Sequence, residues 1–350
     1  MKMKAAVLEG PGQLVVREIE KPACPEGGML LKVKSVGICG SDMRKFAFGS
    51  KDFQYPVVLG HEVAGEIVEV AEGITDYKVG ERLVVGAIIP CGKCHNCLNG
   101  KDNLCEHPVY QSMGMFPDHP GGYAEYMPLP ADMLERGPLV RIPDNVDYDT
   151  AALTEPFTTV MNSHDFIKTP KDGTALIIGA GPIGCMHVEL FKEEGIKTVI
   201  ADVVSERLEI AKEACGADYV INSKEKDLEA AIKELTDGRG ADIVVVACSV
   251  RAMQEQAIKY VCAGGDIILF GGLPDQDHVV QFDSNILHYR QIRLHGTIGQ
   301  CKKHYQRVMD ILKSGKVKTD KYIKILPLEK INEGVKLTRE GKALKVILHP

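Results

Sequence analysis

Two hydrophobic rhythms divide this chain near residue 150. Before it, apolar stretches at Lys4–Leu8, Met29–Val36 and Glu62–Ala71 are short, rich in Val and Ile, and separated by Gly and Pro. Runs of that length and composition read as strands. Within Glu62-Val-Ala-Gly-Glu-Ile-Val-Glu-Val, charged and apolar residues alternate as in a strand with one wet face. Tyr77–Val85 is a turn leading into another such strand. Many short strands with Gly-rich turns predict a β-rich, barrel-like antiparallel fold for residues 1–150.

After residue 150 the rhythm lengthens. Ala151-Ala-Leu-Thr-Glu155-Pro156 opens a helix-like segment, and its mostly apolar setting leaves Glu155 either exposed or paired with a cation. Thr174-Ala-Leu-Ile-Ile178 is a continuous apolar run, the pattern of a buried parallel strand. Strands at Lys197–Ala201, Tyr219–Ile221, Asp242–Ala247 and Asp266–Phe270 then alternate with helical patterns at Glu206–Cys215, Leu228–Leu235 and Met253–Val261. This alternation predicts an α/β domain over 151–299 with a doubly wound parallel sheet. From about residue 300 a helix at Tyr305–Ser314, a strand at Tyr322–Leu326, a second helix and a strand at Leu344–Leu348 follow. That last strand is expected to return to the first domain and complete it.

Composition narrows the function classes. The chain has 350 residues, 45% hydrophobic and 26% charged, an ordinary globular balance with room for two cores. A net charge of -6 with interspersed acids and bases argues against a nucleic-acid or membrane surface. The apolar run Ile243–Cys248 is far too short to span a bilayer. The first residues turn charged before a signal-peptide core could form, so a cytoplasmic location is expected.

Cysteine usage supplies the first chemistry. Of eleven cysteines, Cys91, Cys94, Cys97 and Cys105 lie within fifteen residues. In a reducing compartment such a cluster binds metal rather than forming disulfides. Four thiolates at these spacings close a tetrahedral shell with no position for a substrate, so a structural zinc is expected. Cys91-Gly-Lys-Cys94-His95 also matches a haem-attachment pattern, which would leave Cys97 and Cys105 unexplained. A nucleic-acid-binding zinc ribbon is the third reading, but Lys93 and Lys101 are offset by Asp102 and Glu106. Elsewhere, Gly37-Ile-Cys39-Gly-Ser41-Asp42 and Leu59-Gly60-His61-Glu62 place a thiolate and an imidazole in glycine-containing turns backed by carboxylates. The pair suits a borderline-soft divalent ion such as zinc, with a third ligand drawn from elsewhere.

Glycines supply the second. Gly179-Ala-Gly181-Pro182-Ile183-Gly184 follows a strand and opens a helix, and Asp202 ends the next strand eighteen residues on. This is the full context of a dinucleotide turn, in which the backbone approaches a pyrophosphate at a helix N-terminus. Asp202 is expected to bind the adenosine ribose hydroxyls and to repel a 2′-phosphate, favouring NAD over NADP. Arg207 is placed to stack on adenine or approach a phosphate. Phe270-Gly271-Gly272-Leu273 and Gly296-Thr297-Ile298-Gly299 fall where strand ends would meet the nicotinamide.

With these motifs in this order, the chain resembles over its whole length the zinc-containing medium-chain dehydrogenases. It is most similar to the branch holding sorbitol (polyol), threonine and galactitol-1-phosphate dehydrogenases. The resemblance implies a GroES-like catalytic domain carrying both zincs and a Rossmann domain for NAD. It implies a catalytic zinc on Cys39 and His61, with Glu62 and Glu155 as further carboxylates, Glu155 the more consistent ligand. An open-sided zinc would then lower the substrate hydroxyl's pKa as hydride leaves for the nicotinamide, in a cleft between the domains. Ser41 falls where the family places the hydroxyl that takes the alcohol's proton. Homodimers or homotetramers are the family rule.

Two departures stand out. Many relatives carry a histidine at the relay position held here by Arg44, which is followed by Lys45. Either the two bases are surface charge, or they attract an anionic substrate such as a polyol phosphate. Asn162-Ser-His164-Asp165 replaces residues that are often smaller or apolar, without a functional account. The expected activity is zinc-dependent hydride transfer between a secondary alcohol of a polyol and NAD. A polyol-phosphate or L-threonine 3-dehydrogenase is the alternative within enzymes. A non-catalytic zinc protein, structural or nucleic-acid-binding, is the alternative outside them.

Overall fold

The computed structural model describes residues 1–49, 54–107, 113–114, 119–168 and 170–350. The chain forms two compact units, Met1–Thr158 with Gln300–Pro350, and Thr159–Gly299. Residues 151–158 therefore fold with the first unit.

The first unit is built on strand Met29–Gly37, buried along most of its length. It pairs antiparallel with Glu62–Val70 on one side, and its last residues pair with the C-terminal strand Lys345–His349. Ile323–Pro327 extends the sheet beyond the C-terminal strand, and Arg82–Val85 and Leu139–Arg141 extend it beyond Glu62–Val70. A second, three-stranded sheet joins Lys2–Leu8 to Leu14–Glu20 and Val57–Val58. Leu31, Val33, Val36, Ile67, Leu83, Met127, Val346 and Leu348 meet in one buried core. At about 1.5–3 kcal/mol for each such side chain removed from water, this burial secures the strand registers. The alternation in Glu62–Val70 holds at Glu66 and Glu69 but fails at Glu62, which is fully buried.

The second unit is a six-stranded parallel sheet in the order Tyr219–Asn222, Lys197–Asp202, Thr174–Ile178, Ala241–Val246, Val261–Leu269, Arg293–Gly296. Thr174–Ile178 is buried at every position, as its unbroken apolar run requires. The strand expected at Asp266 begins earlier, at Val261. Its ladder skips from Ala241↔Val261 to Ile243↔Asp266, so Ala263-Gly-Gly bulges out of register. Glycines in the middle of a strand hide it from a pattern reading. Among the described residues no helix is long and apolar enough to cross a membrane.

His164 and His187 form a stacked pair in this unit. His164 Nε2 lies 3.1 Å from His187 Nδ1, and His164 Nδ1 lies 3.2 Å from Glu194 Oε1. Phe191 stacks on His164 at 4.2 Å, and Phe270 meets His187 edge-on. Burial first, and His164 second, push the His187 imidazole well below its ordinary pKa. The folded protein thus keeps His187 neutral, whereas the unfolded chain binds a proton near the ordinary value of about 6.5. The His187 contribution to stability is expected to be constant above that pH and to be lost as pH drops below it. In denaturant titrations at several pH values, His187→Gln is expected to remove up to about 1.4 kcal/mol per pH unit of that slope.

Candidate active site

Strand register builds the first site. Gly37 sits opposite both Glu62 and Ile347. Cys39, two residues beyond Gly37, therefore comes beside His61 and Glu62 at the start of the next strand. Cys39 is also the N-cap of the helix Gly40–Phe48, which places Ser41 and Asp42 in its first turn. Donor atoms of Cys39, His61 and Glu62 all lie within 4.8 Å of one another. Ser41 Oγ stands 3.4 Å from Cys39 Sγ.

Charges around this set are buried. Lys345 Nζ, from the C-terminal strand, makes an ion pair with Glu62 Oε1 and donates to Ile38 O at 3.1 Å. Burial works against the ammonium, but Glu62, then Cys39 and Glu155, hold its pKa above the ordinary value. Glu62 Oε2 is buried without a hydrogen-bond partner among the described residues. Asp42, 1% exposed, accepts from Tyr123 Oη at 2.7 Å and lies 3.4 Å from His61 Nδ1. Burial opposes a charged His61, yet Asp42 and Cys39 outweigh it and raise the imidazole well above its usual range.

Glu155 is the second residue of helix Thr154–His164 and only 5% exposed. It stands outside the tight donor set but feels the same charges. Burial first, with Glu62 and Asp42 against His61 and Lys345, pushes its carboxyl up to about 7. A cation among these groups would ionise it. One sulfur, one imidazole and carboxylate oxygen, with a buried Glu62 oxygen left over, fit zinc.

The second cluster is closed by its own backbone. The sulfurs of Cys91, Cys94, Cys97 and Cys105 lie within 4.8 Å of one another. Backbone N–H groups of Cys91, Cys94 and Cys97 donate to the sulfurs of Cys105, Cys91 and Cys94 at 3.4–3.5 Å. N–H groups from Glu106 and Cys97 draw the Cys94 thiol down to about 6. Burial and neighbouring sulfurs push Cys97 up to about 12. Thiols that divide in this way are relieved together by one cation. His95 is exposed and outside the cluster.

The glycine turn lies in the second unit. Gly179 has φ 114°, and a side chain on Gly184 would reach within 1.9 Å of Gly179 O. Above Gly181, where the helix Pro182–Glu193 starts at Pro182 and Ile183, a side chain would meet only open space. That space at a helix N-terminus fits a pyrophosphate. Asp202 ties the turn down: its Oδ2 accepts from Ala180 N at 2.9 Å, and its Oδ1 from Val203 N and Val204 N. Arg207 is half-buried in the first turn of helix Ser205–Cys215. Gly271 O accepts from Gln254 at 2.7 Å, Gly272 is exposed and Leu273 half-buried. Thr297 Oγ1 is buried without a hydrogen-bond partner among the described residues, and Ile298 is 66% exposed.

Sequence reasoning missed three residues. Lys345 is a lone lysine before an apolar run, with no local signal of a buried partner. Tyr123 lies in a motif whose role shows only in three dimensions. Asn162, unexplained before, donates to Ile298 O and Gly299 O at 3.3 and 3.1 Å and so braces that turn.

Two outcomes test this geometry. Lys345→Met leaves Glu62 buried without its cation, and urea denaturation of the metal-free protein is expected to show a loss of about 3–5 kcal/mol. Cys39→Ser is expected to retain the fold and one of two zincs by elemental analysis. A variant that unfolds, or that keeps both zincs, makes Cys39 structural.

Comparison with known proteins gives the same picture. Residues 25–144 match the alcohol dehydrogenase GroES-like domain, and residues 182–314 match the zinc-binding dehydrogenase domain. The chain is 32% identical to a sorbitol dehydrogenase of Bacillus subtilis, over 99% of this chain and 97% of that one. It is 31% identical to an L-threonine 3-dehydrogenase of Thermococcus kodakarensis, covering 100% and 98% of the two chains. A putative zinc-binding dehydrogenase from Sinorhizobium meliloti, solved with NADP, superposes with a TM-score of 0.91 at 26% identity over the whole of both chains. With its mixed-donor set, its four-cysteine cluster and its dinucleotide turn, this chain belongs to the zinc-dependent medium-chain alcohol dehydrogenases, NAD(P)-linked oxidoreductases.

Proposed function

We propose that this enzyme oxidises a secondary alcohol of a polyol and passes the hydride to NAD. The observation that carries the reading is the mixed donor set of Cys39, His61 and Glu62, with buried Glu155 beside it. Bound there, zinc would polarise the alcohol oxygen while the nicotinamide takes the hydride. Ser41 stands next to Cys39 to take the alcohol's proton while passing its own to water, Asp42 orients His61, and Lys345 holds one Glu62 oxygen so that the other remains available. The four-cysteine cluster holds the structural zinc. We assign the catalytic role to the unit of residues 1–158 with 300–350, and cofactor binding to 159–299. Gly179, Gly181 and Gly184 cradle the pyrophosphate. Asp202 supports NAD, because its carboxylate would repel a 2′-phosphate.

One observation favours a phosphorylated polyol as a second reading. Lys45 is half-buried on the helix that carries Ser41, close enough to Asp42 and Cys39 to feel their charge. Burial lowers its pKa, and Arg44 beside it lowers it further. A cation so placed suits a phosphate better than a neutral hydroxyl. A cytoplasmic setting would keep the cysteine cluster reduced. The edge strand Arg293–Gly296, with Tyr289, Leu294 and Ile298 exposed near it, supports a homodimer or homotetramer.

NADH formation from sorbitol, xylitol, threonine and galactitol 1-phosphate, with and without a zinc chelator, tests these readings. Chelator-sensitive turnover of neutral polyols is expected. Preference for threonine would overturn the polyol assignment. Preference for the phosphorylated polyol, with Lys45→Ala raising its KM at least about tenfold, would establish the second reading. Separately, Asp202→Ala is expected to raise the NADP/NAD ratio of kcat/KM, and an unchanged ratio would remove Asp202 from cofactor choice.

A further inference from the structure

Tyr123 is the largest fully buried side chain near the donor set, and it touches both loops that deliver ligands. Its backbone N donates to Leu59 O at 2.9 Å, and Gly122 N donates to Gly60 O at 2.8 Å, so this segment runs alongside the approach to His61. Its ring packs where a side chain on Gly60 would have to stand, 2.9 Å away, and Gly60 has φ 101°. Its hydroxyl lies 2.7 Å from Asp42 Oδ2 and 3.1 Å from Gly37 O, two residues before Cys39. A phenol has one proton, and the nearer, charged acceptor takes it. Asp42 Oδ1 has no hydrogen bond among the described residues and stands 3.4 Å from His61 Nδ1.

A phenylalanine would fill the same volume without a polar group to desolvate. The hydroxyl therefore has a use that packing does not explain. We infer that the Tyr123 hydroxyl is a positioning group for the metal-binding imidazole. Acting through Asp42, it fixes the orientation and tautomer of His61, so that Nδ1 carries the proton and Nε2 is left for the metal. Outer partners of this kind set the basicity and aim of a metal-bound histidine. The inference rests on the reading of His61 as a zinc ligand.

The test compares wild type with Tyr123→Phe in the full chain. Zinc affinity is read by competition with a chromogenic chelator, and the visible spectrum is recorded after cobalt replaces the catalytic ion. One of two zincs is expected to bind roughly 10–100-fold more weakly in Tyr123→Phe, the other unchanged. The cobalt bands should shift, and kcat should fall with KM little altered. In an Asp42→Asn background the same substitution should add less than about twofold, since the two residues act as one unit. Affinity within about twofold of wild type and an unshifted spectrum overturn the inference, as does a Tyr123→Phe chain that does not fold. Wild-type protein holding a single zinc overturns the active-site reading and the inference with it. Two zincs in wild type with an unchanged variant overturn the inference alone.

Discussion

The buried ion pair between Lys345 and Glu62 is the constraint on which the first site depends. Both side chains are almost completely shielded from water, 5% and 0% exposed. Desolvating two charges costs several kcal/mol, which their attraction offsets only with good geometry and further hydrogen bonds. The Ile38 carbonyl supplies one such bond to Lys345. The pair therefore locks the C-terminal strand to the turn that carries Cys39. It also divides the Glu62 carboxylate, engaging one oxygen and leaving the other without a hydrogen bond among the described residues.

The two donor clusters are assembled by opposite means. The cysteine cluster is local: four thiols within fifteen residues, held by N–H bonds from the same segment to sulfur. A closed sulfur shell leaves no position for a substrate. The mixed-donor site is assembled from strands distant in sequence, with Cys39, His61 and Lys345 brought together by the Gly37 register. Under the proposed roles, a zinc held by fewer protein ligands there would keep a coordination position for an alcohol oxygen.

Several residues act at one remove from the chemistry. Asp202 accepts from three backbone N–H groups, which fix its orientation. Asn162 spans from the helix Thr154–His164 to the Ile298–Gly299 turn, so the departure from smaller residues at that position has a mechanical reason. His164, close by, stands between buried His187 and the exposed carboxylate of Glu194. The Asn162 and His164 contacts join residues far apart along the chain and lie beyond the reach of local pattern.

What the amino-acid sequence determined by itself is everything that depends on neighbours along the chain. The unbroken run Thr174–Ile178 could only be a doubly buried strand. The glycine turn with Asp202 eighteen residues on carries its structural context with it, and the cysteine spacings dictate their own closed shell. The tertiary structure decided what depends on register. It buried Glu62, which the strand alternation would have left wet, because a lysine 283 residues away completes its charge. It put Glu62 rather than Glu155 in the tight donor set with Cys39 and His61. It turned Tyr123 from one aromatic in a glycine-rich stretch into the contact between two ligand loops. Pairing across a sheet brings distant residues within a few ångströms, and a one-residue slip would reverse which face each side chain occupies. That geometry comes from the packed strands together, and no local stretch of sequence contains it.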